Sequence, residues 1–494
     1  MNNILRDVEP ETTEEALVSY LKENNLLDDG PRSWTIRYSS LGGRGMFATR
    51  DIKEGELIFI DTPLIIGPRH HNNQLPMCVN CYKKDCPLFP CDRGCGLPVC
   101  SAECENSPKH VKYECEYLRS LVPTCGTDWS WNLLLAVIPI RALFMNEVQR
   151  KCASVLQAHL SLSHGYEIEL LRRDVEKPPT EEDEKFMKHV SGLFNTNSFE
   201  TVSVQNKDNS TSLRGLYPMG ALQNHCCVPK TRHHFDGEYR LYVSAALPIS
   251  AGEELTMSYT SLFWDTTLRR QFLSFTKHFS CNCKRCSDPT EFGAKLGALL
   301  CASDNCTGTL LPADPLNSES PWICDKCAVT INSRQIRSIR SGLAAIVEEA
   351  SAKDPRKIFK FMKRELIPLL PPTNYLIADL KFRIISYYGR TEGLSWADLT
   401  DEELSLKSAY CNDLLSILDT LKSGECKKKG IILYELYCTN VEIIKRRQRK
   451  NNNECPKIIE INIDENERIL EKALSILEND IVSVTLLEYD RKNW

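Results

Sequence analysis

Three observations predict a multidomain α+β fold for this chain of 494 residues. Short β-rich runs occur in two separated blocks, between Trp34 and Ile66 and again at 240–246. Cysteines come in tight groups at 78–115, 226–286 and 301–327. From about Ser333 to the end, apolar residues recur at helical spacing. The chain is too long for one core, and 42% hydrophobic with 26% charged residues is the balance of an ordinary soluble protein.

Charge and cysteine usage narrow the function classes. A net charge of -5 excludes an electrostatic nucleic-acid binder as a whole. The first thirty residues carry Asp7, Glu9, Glu11, Glu14 and Glu15 and no long apolar run, which is not a signal peptide. The longest apolar run, Leu133 to Ile140, is too short for a bilayer, so no membrane is expected. The 23 cysteines without a secretion signal point to metal ligands in a reducing compartment, cytoplasmic and/or nuclear, rather than to disulfides.

In chain order, residues Thr13 to Asn24 read as an amphipathic helix with Leu17, Tyr20 and Leu21 on one face. Trp34 to Tyr38 alternates as a strand, and Leu57–Ile60 and Leu64–Ile66 are further short strands. Between them, Gly42-Gly43-Arg44-Gly45 permits positive φ and close approach of a ligand to the main chain. The next segment holds Cys78-x2-Cys81, Cys91-x3-Cys95, Cys100-x3-Cys104 and His110-x4-Cys115. Eight ligands in four pairs suit two tetrahedral zinc ions, and metal binding would supply the folding free energy of so apolar-poor a segment. Spacing does not say which pairs share a metal, and Cys86 stays an alternative ligand. Trp131 to Leu171 reads as helical, Glu176–Glu184 as a charged loop, and Phe186–Phe194 as another helix.

Asn224-His225-Cys226-Cys227-Val228-Pro229 follows, then the strand Arg240–Ala246. Gly252-Glu253-Glu254-Leu255-Thr256-Met257-Ser258-Tyr259 reads as a turn and a short strand ending on tyrosine. Cys281, Cys283 and Cys286 are one ligand short of a tetrahedral zinc site, and Cys227 can supply the fourth. Cys301, Cys306, Cys324 and Cys327 read as a further zinc clip. Helical stretches then carry Ile339, Leu343, Ile346 and Val347; Leu404 to Leu418; Ile432 to Val441; and Ile469 to Leu477. Lys445 to Lys450 is a basic run at a helix end. Cys125, Cys152, Cys411, Cys426, Cys438 and Cys455 lack ligand spacing and read as packing thiols; His70-His71 and His233-His234 are assigned no chemistry.

The Asn-His-x-Cys-x-Pro turn, the Gly-Glu-Glu-Leu-Thr-x-x-Tyr stretch and the Cys-x-Cys-x-x-Cys tail resemble the core and post-SET segment of SET-domain lysine methyltransferases. The cluster at 78–115 resembles a MYND zinc finger. A finger inserted between the glycine turn and the Asn-His turn is the layout of the SMYD family, and the spacings and extra cysteine pairs resemble its arthropod-type members. The resemblance covers most of Trp34 to Cys286. It implies a split β-rich SET domain and interleaved finger sites, Cys78, Cys81, Cys100 and Cys104 on one zinc and Cys91, Cys95, His110 and Cys115 on the other.

The divisions expected on this basis are an N-terminal helix at 1–32, the first SET part at 33–77, the finger at 78–115, and a helical insert at 116–212. The SET core at 213–264, the post-SET zinc region at 265–290, the added clip at 291–332 and a TPR-like helical domain at 333–494 complete them. The resemblance also implies S-adenosylmethionine as cofactor, beside zinc (two in the finger, one post-SET, one in the clip). Gly43, Arg44 and Gly45 would hold the methionine end of the cofactor through main-chain groups, Asn224 and His225 would meet it near its adenosine, and Phe279 would lie against the adenine. Tyr259 would be catalytic, orienting amine and methyl. The family pattern has Ser where Cys226 stands and Asn where Lys230 stands. A lysine does not reproduce the side-chain bonds of a turn asparagine, so a looser turn is expected.

The implied activity is protein-lysine N-methylation, on histones or other proteins, with proline-rich peptides as partners of the finger and no direct nucleic-acid binding. The competing reading is an interaction scaffold or transcriptional regulator, built on finger and helices, with weak or absent methyl transfer.

Overall fold

The computed structural model describes residues 8–28, 30–68, 76–158, 165–206, 209–351, 354–450, 456–481 and 483. His70, His71 and Cys455 lie outside the described residues.

The helix Pro10–Glu23 has proline in its first turn, where no N–H is needed, and buries Ala16, Leu17, Tyr20 and Leu21. It packs on β1 (Trp34–Tyr38), which pairs antiparallel with β2 (Arg44–Ala48) around the glycine turn. β3 (Leu57–Asp61) and β4 (Ile65–Pro68) belong to different small sheets. In the finger, β5 (Phe89–Pro90) and β6 (Pro98–Val99) make a two-stranded ribbon. β7 (Phe199–Asn206) pairs antiparallel with β8 (Asn209–Leu216), which also pairs with β4. β10 (Leu241–Ala245) lies between β3 and β9 (Thr231–Phe235). The residues Trp34, Met46, Phe59, Ile65, Leu216, Val243 and Leu255 meet in one core beneath these sheets. Asp61, fully buried at the end of β3, accepts from the N–H groups of Met219 and Gly220 at 2.8 and 3.0 Å and so fixes the turn leading to Asn224. Burial pushes its carboxyl up to about 7.

Two expectations fail here for local reasons. The helical stretch from Trp131 to Leu171 breaks into Trp131–Leu135, Val137–Ala142, Glu147–Ser154 and Tyr166–Arg173. Asn146 restarts the chain, since its side chain accepts from Gln149 N while the Gln149 side chain accepts from Asn146 N, a capping box. The β7–β8 hairpin occupies the end of the stretch expected to be helical. Its buried positions include Thr201, Ser203 and Thr211, so the strand alternation is invisible to a hydrophobicity pattern. Before it, Thr180 caps the helix Glu181–Asn197 by accepting from Asp183 N at 3.1 Å.

The clip is a four-stranded antiparallel sheet, β11 (Leu299–Leu300), β12 (Thr309–Pro312), β13 (Trp322–Cys324) and β14 (Thr330–Ile331). Beyond it come the helices Ser333–Ser351, Pro355–Phe361, Tyr375–Tyr387, Asp401–Thr420, Lys427–Lys450 and Pro456–Leu477, the last three packing neighbour on neighbour. In the first of them Leu343 and Val347 are buried, whereas Ile339 and Ile346 are exposed. Arg446, inside the basic run, is tied to Glu442, Asp401 and the carbonyls of Leu399 and Trp396, so this part of the run is structural. Glu425 joins the helices to the β-rich unit: its carboxylate accepts from Arg232 Nε at 3.1 Å and its N–H donates to Ala246 O at 2.7 Å. At Gly424 a Cβ would stand 2.2 Å from Ala246 O, so only glycine allows that approach. Cys152, Cys411, Cys426 and Cys438 are buried packing thiols, and Cys125 is half-buried. Among the described residues no helix is long and apolar enough to cross a membrane.

Candidate active site and metal clusters

Among the described residues four groups of ligand atoms converge: Cys78, Cys81, Cys100 and Cys104; Cys91, Cys95, His110 and Cys115; Cys227, Cys281, Cys283 and Cys286; Cys301, Cys306, Cys324 and Cys327. Tetrahedral ligation at ~2.3 Å per Zn–S bond places sulfurs ~3.8 Å apart. The observed separations are 3.6 Å for Cys81–Cys100, 3.9 Å for Cys91–Cys115, 3.5 Å for Cys227–Cys286 and 3.6 Å for Cys306–Cys324. A disulfide would need ~2.05 Å. The donor sets therefore fit zinc, and the finger sites interleave. Cys86 is outside them, its thiol turned to Lys83 O at 3.8 Å.

The unusual His110-x4-Cys115 spacing has a structural origin. Val111–Cys115 forms a π-helical turn, which takes up one more residue than an α-turn. His110 faces its cluster with Nε2, 3.5 Å from Cys91 Sγ, and meets the buried Glu114 carboxylate through Nδ1 at 3.4 Å. Arg141 donates to Glu114 at 2.8 Å and to Val79 O and Ile66 O, which ties the finger to the insert and to β4. Such a carboxylate behind a histidine ligand fixes its ring orientation.

At the cluster of Cys227, the site is assembled from remote segments. The Asn-His turn runs parallel to Met257, with Cys226 N donating to Met257 O and Met257 N to Asn224 O, both at 2.9 Å. The stretch 252–259 is not the short strand expected. It pairs one residue at a time, Glu254 with Phe47 and Met257 with His225, because it is shared between the glycine strand and the turn. Tyr259 N donates to His225 Nδ1 at 2.9 Å. That bond puts the His225 proton on Nε2, which then donates to Cys227 Sγ at 3.2 Å. Burial pushes the imidazole down to about 4, which keeps it in this neutral form. His225 thus links the metal cluster to Tyr259, and both ring nitrogens are used inside the protein. The Tyr259 hydroxyl donates to Gln223 O at 2.6 Å, and burial holds its pKa well above the usual phenol value.

The Lys230 turn is ordered, contrary to expectation. Lys230 N donates to Thr256 O at 2.9 Å, Lys230 O accepts from Ala246 N at 2.8 Å, and its ammonium pairs with Glu253 at 3.1 Å. Main-chain bonds do here what an asparagine side chain does elsewhere. Cys226 stays outside the four-ligand set.

A cavity of about 1420 Å³ opens against this assembly. Its wall includes Gly43, Arg44, Asn224, His225, Tyr259 and Phe279, together with Arg150 and Ala153 of one insert helix and Thr196 and Asn197 of another. The ring of Phe279 lies 6.0 Å from His225 and 6.4 Å from Tyr259, and 37% of the residue is exposed. Gly43 adopts φ 58°, leaving the main chain bare towards the cavity. Gly45 faces the other way: a Cβ there would stand 2.2 Å from Glu254 Oε1 and 3.0 Å from Asn224 Nδ2. The second glycine thus makes room for a clamp inside the protein. Asn224 Nδ2 donates to Arg44 O at 3.1 Å and to Glu254 Oε1 at 2.7 Å, while Ser39 Oγ donates to Glu254 Oε2 at 2.8 Å. The space, the bare glycine main chain and the aromatic wall fit an adenosyl sulfonium with room left for a side chain.

Sequence reasoning missed several residues of this site. Glu254 was visible only as part of a motif, although its carboxylate holds the glycine turn to Asn224. Arg269 and Arg285, both fully buried, approach the metal cluster: Arg269 Nε lies 3.2 Å from Cys227 Sγ, and Arg285 donates to Cys227 O at 3.2 Å. Glu291 accepts from Arg269 at 2.6 Å and from Arg285 at 3.0 Å. Lys277 lines the cavity, with Nζ 5.6 Å from the centre of the Tyr259 ring. No spacing rule marks such residues.

A family model for the SET domain matches residues 43–260. The SET domain-containing protein SmydA-8, isoform B, of Drosophila melanogaster is 34% identical over 418 residues, covering 82% of this chain and 90% of that one. Histone-lysine N-methyltransferase ASHR1 of Arabidopsis thaliana is 25% identical, covering 65% of this chain and 70% of that one. N-lysine methyltransferase SMYD2-B of Xenopus laevis is 26% identical, covering 53% of this chain and 62% of that one.

Proposed function

The chain belongs to the SMYD family of SET-domain proteins, of the arthropod type, and from this premise we propose that it is an S-adenosylmethionine-dependent protein-lysine N-methyltransferase. The observation that carries this reading is the double anchoring of Tyr259, main chain on His225 and hydroxyl on Gln223 O, in a cavity wall shared with the bare glycine turn.

When bound, S-adenosylmethionine supplies the sulfonium methyl group. Gly43 and Arg44 would offer main-chain groups to its amino-acid end, and Phe279 an aromatic face to its base. Asn224 is positional, since its amide is spent on Arg44 O and Glu254. His225 meets a ligand through its ring face, its nitrogens being committed. The Tyr259 hydroxyl stays protonated and orients the incoming amine as a dipole. Neither Tyr259 nor His225 is placed to take a proton. The substrate lysine therefore arrives neutral, a state a free lysine holds only about once in 2,500 at pH 7. Burial in the cavity wall favours that state. Alignment of the two groups can remove ~7–11 kcal/mol of barrier.

Substrates are lysines of histones or of other proteins. The finger exposes Phe89, and Tyr113 is exposed beside its second cluster; these are side chains against which a proline-rich peptide can stack. The reduced thiol clusters suit the cytoplasm or the nucleus. Calorimetric titration of the zinc-loaded chain with S-adenosylmethionine tests the reading, and absence of binding returns the chain to the scaffold reading. Tyr259→Phe is expected to leave that binding near the wild-type level and to slow transfer to a peptide about a hundredfold; unchanged transfer would remove Tyr259 from its role.

A further inference from the structure

The cavity contains a lysine of its own. Lys277 is the last residue of the helix Thr266–Lys277, and the chain reverses after it through His278 in the left-handed region, at φ 61°. Arg269 of the same helix reaches the sulfurs of Cys227 and Cys286, so the helix that delivers Lys277 is pinned to the metal cluster. Lys277 Nζ lies 5.6 Å from the Tyr259 ring centre and donates to Thr196 O at 2.5 Å. Lys185 and Lys188 also line the cavity, but both are exposed on the helix Glu181–Asn197. Lys277 is half-buried and packs on the tyrosine.

We propose that Lys277 is a methylation site of its own chain, an amine held in the cavity beside Tyr259 where an incoming substrate lysine would otherwise be received. This rests on the methyltransferase reading of the same cavity. Burial, and then the positive charge of Arg214, push the Lys277 amine down to about 8. Roughly one chain in ten then carries it neutral at pH 7. The neutral amine donates to Thr196 O and keeps its lone pair free. In the step, that lone pair forms the N–CH3 bond as the S–CH3 bond breaks. The bonding electrons go to sulfur, and the sulfonium becomes a neutral thioether. The methylated nitrogen, now a cation, loses a proton to solvent. A methylated Lys277 would be larger and less able to donate to Thr196, so the modification also changes the space left for a substrate lysine.

The test uses the full zinc-loaded chain with methyl-labelled S-adenosylmethionine, followed by peptide mapping, with calorimetry in parallel. Expected are cofactor binding and one labelled methyl group on Lys277, acquired at a rate per chain that does not change on tenfold dilution. Lys277→Arg should lose that label; zinc content and the calorimetric signal report whether this variant is folded, and mapping of the unmodified sequence decides the matter even if it is not. Binding without label on Lys277, or a rate per chain that falls with dilution, overturns the inference and leaves the methyltransferase reading standing. No binding at all overturns both. A separate readout needs no cofactor: competitive labelling of lysines with an amine reagent across pH should place the Lys277 midpoint near 8, and a midpoint with the exposed lysines would contradict the held, dehydrated amine.

Discussion

Two four-cysteine clusters lie fewer than a hundred residues apart and are built for different purposes. Cys227, Cys281, Cys283 and Cys286 join segments 54 residues apart, and only Cys283 among them is not buried. Cys301, Cys306, Cys324 and Cys327 sit at the ends of neighbouring strands of a small sheet, with Cys327 exposed. Four thiolates around Zn²⁺ carry two net negative charges. In the first cluster two buried guanidiniums, Arg269 and Arg285, face that charge, with Glu291 bridging them. In the second, backbone N–H groups do so, Gly308 N to Cys306 Sγ and Lys326 N to Cys324 Sγ, both at 3.4 Å, and Cys327 is exposed. A metal that organises an active site is dry and needs protein charges; one that only staples a ribbon can leave the task to solvent and main chain.

The largest effect should come from breaking the dry cluster. Cys286→Ser removes a fully buried ligand. Metal analysis should show one of four zinc ions lost, and calorimetry should show S-adenosylmethionine binding lost with it. The reason is connectivity: without zinc, Cys227 no longer fixes His225, and His225 no longer holds Tyr259 N. Retained cofactor binding in a three-zinc protein would mean that the cluster is only a staple. Arg269→Met comes next. It keeps the ligands but removes one of the two guanidiniums that face the thiolates and leaves Glu291 with one partner fewer. Loss of such support costs ~10–100-fold in metal affinity, and breaking a buried pair about 3 kcal/mol. Chelator competition and thermal unfolding measure the two separately.

The same contrast explains what was legible in the sequence. Ligand residues are local in spacing and chemistry, so the donors could be marked from the sequence, while the division of the finger's donors between two metals came from the family resemblance. The π-turn at Val111–Cys115 shows how a spacing that looks irregular can still close a site. What supports the ligands was not legible. No motif or spacing singles out Arg269, yet it is fully buried. Its partners, Cys227 and Glu291, are remote in sequence. The β7–β8 hairpin was hidden because its buried face carries Thr201, Ser203 and Thr211. The looseness expected at Lys230 failed because the turn is held by main-chain bonds that residue identity does not encode.

Cys327→Ser should give the smallest effect and so sharpens the comparison most. Cys327 is exposed, and its sulfur lies 3.6 Å from Cys301 Sγ on the rim of the clip. Serine is a poor ligand for zinc, so metal analysis should again show one ion lost. Yet the clip touches the rest of the chain mainly through Leu299, Leu310 and Trp322, which sit in the core of the helical domain and are not ligands. The cavity wall includes no clip residue. Distant sites without shared partners contribute independently, within about 0.5 kcal/mol. S-adenosylmethionine affinity should therefore stay within about threefold of wild type, and loss of zinc should appear as faster proteolysis around 301–331. A fall in cofactor affinity as large as that of Cys286→Ser would show that the helical domain transmits the state of the clip to the active site, and that the two clusters are not the separate devices their surroundings indicate.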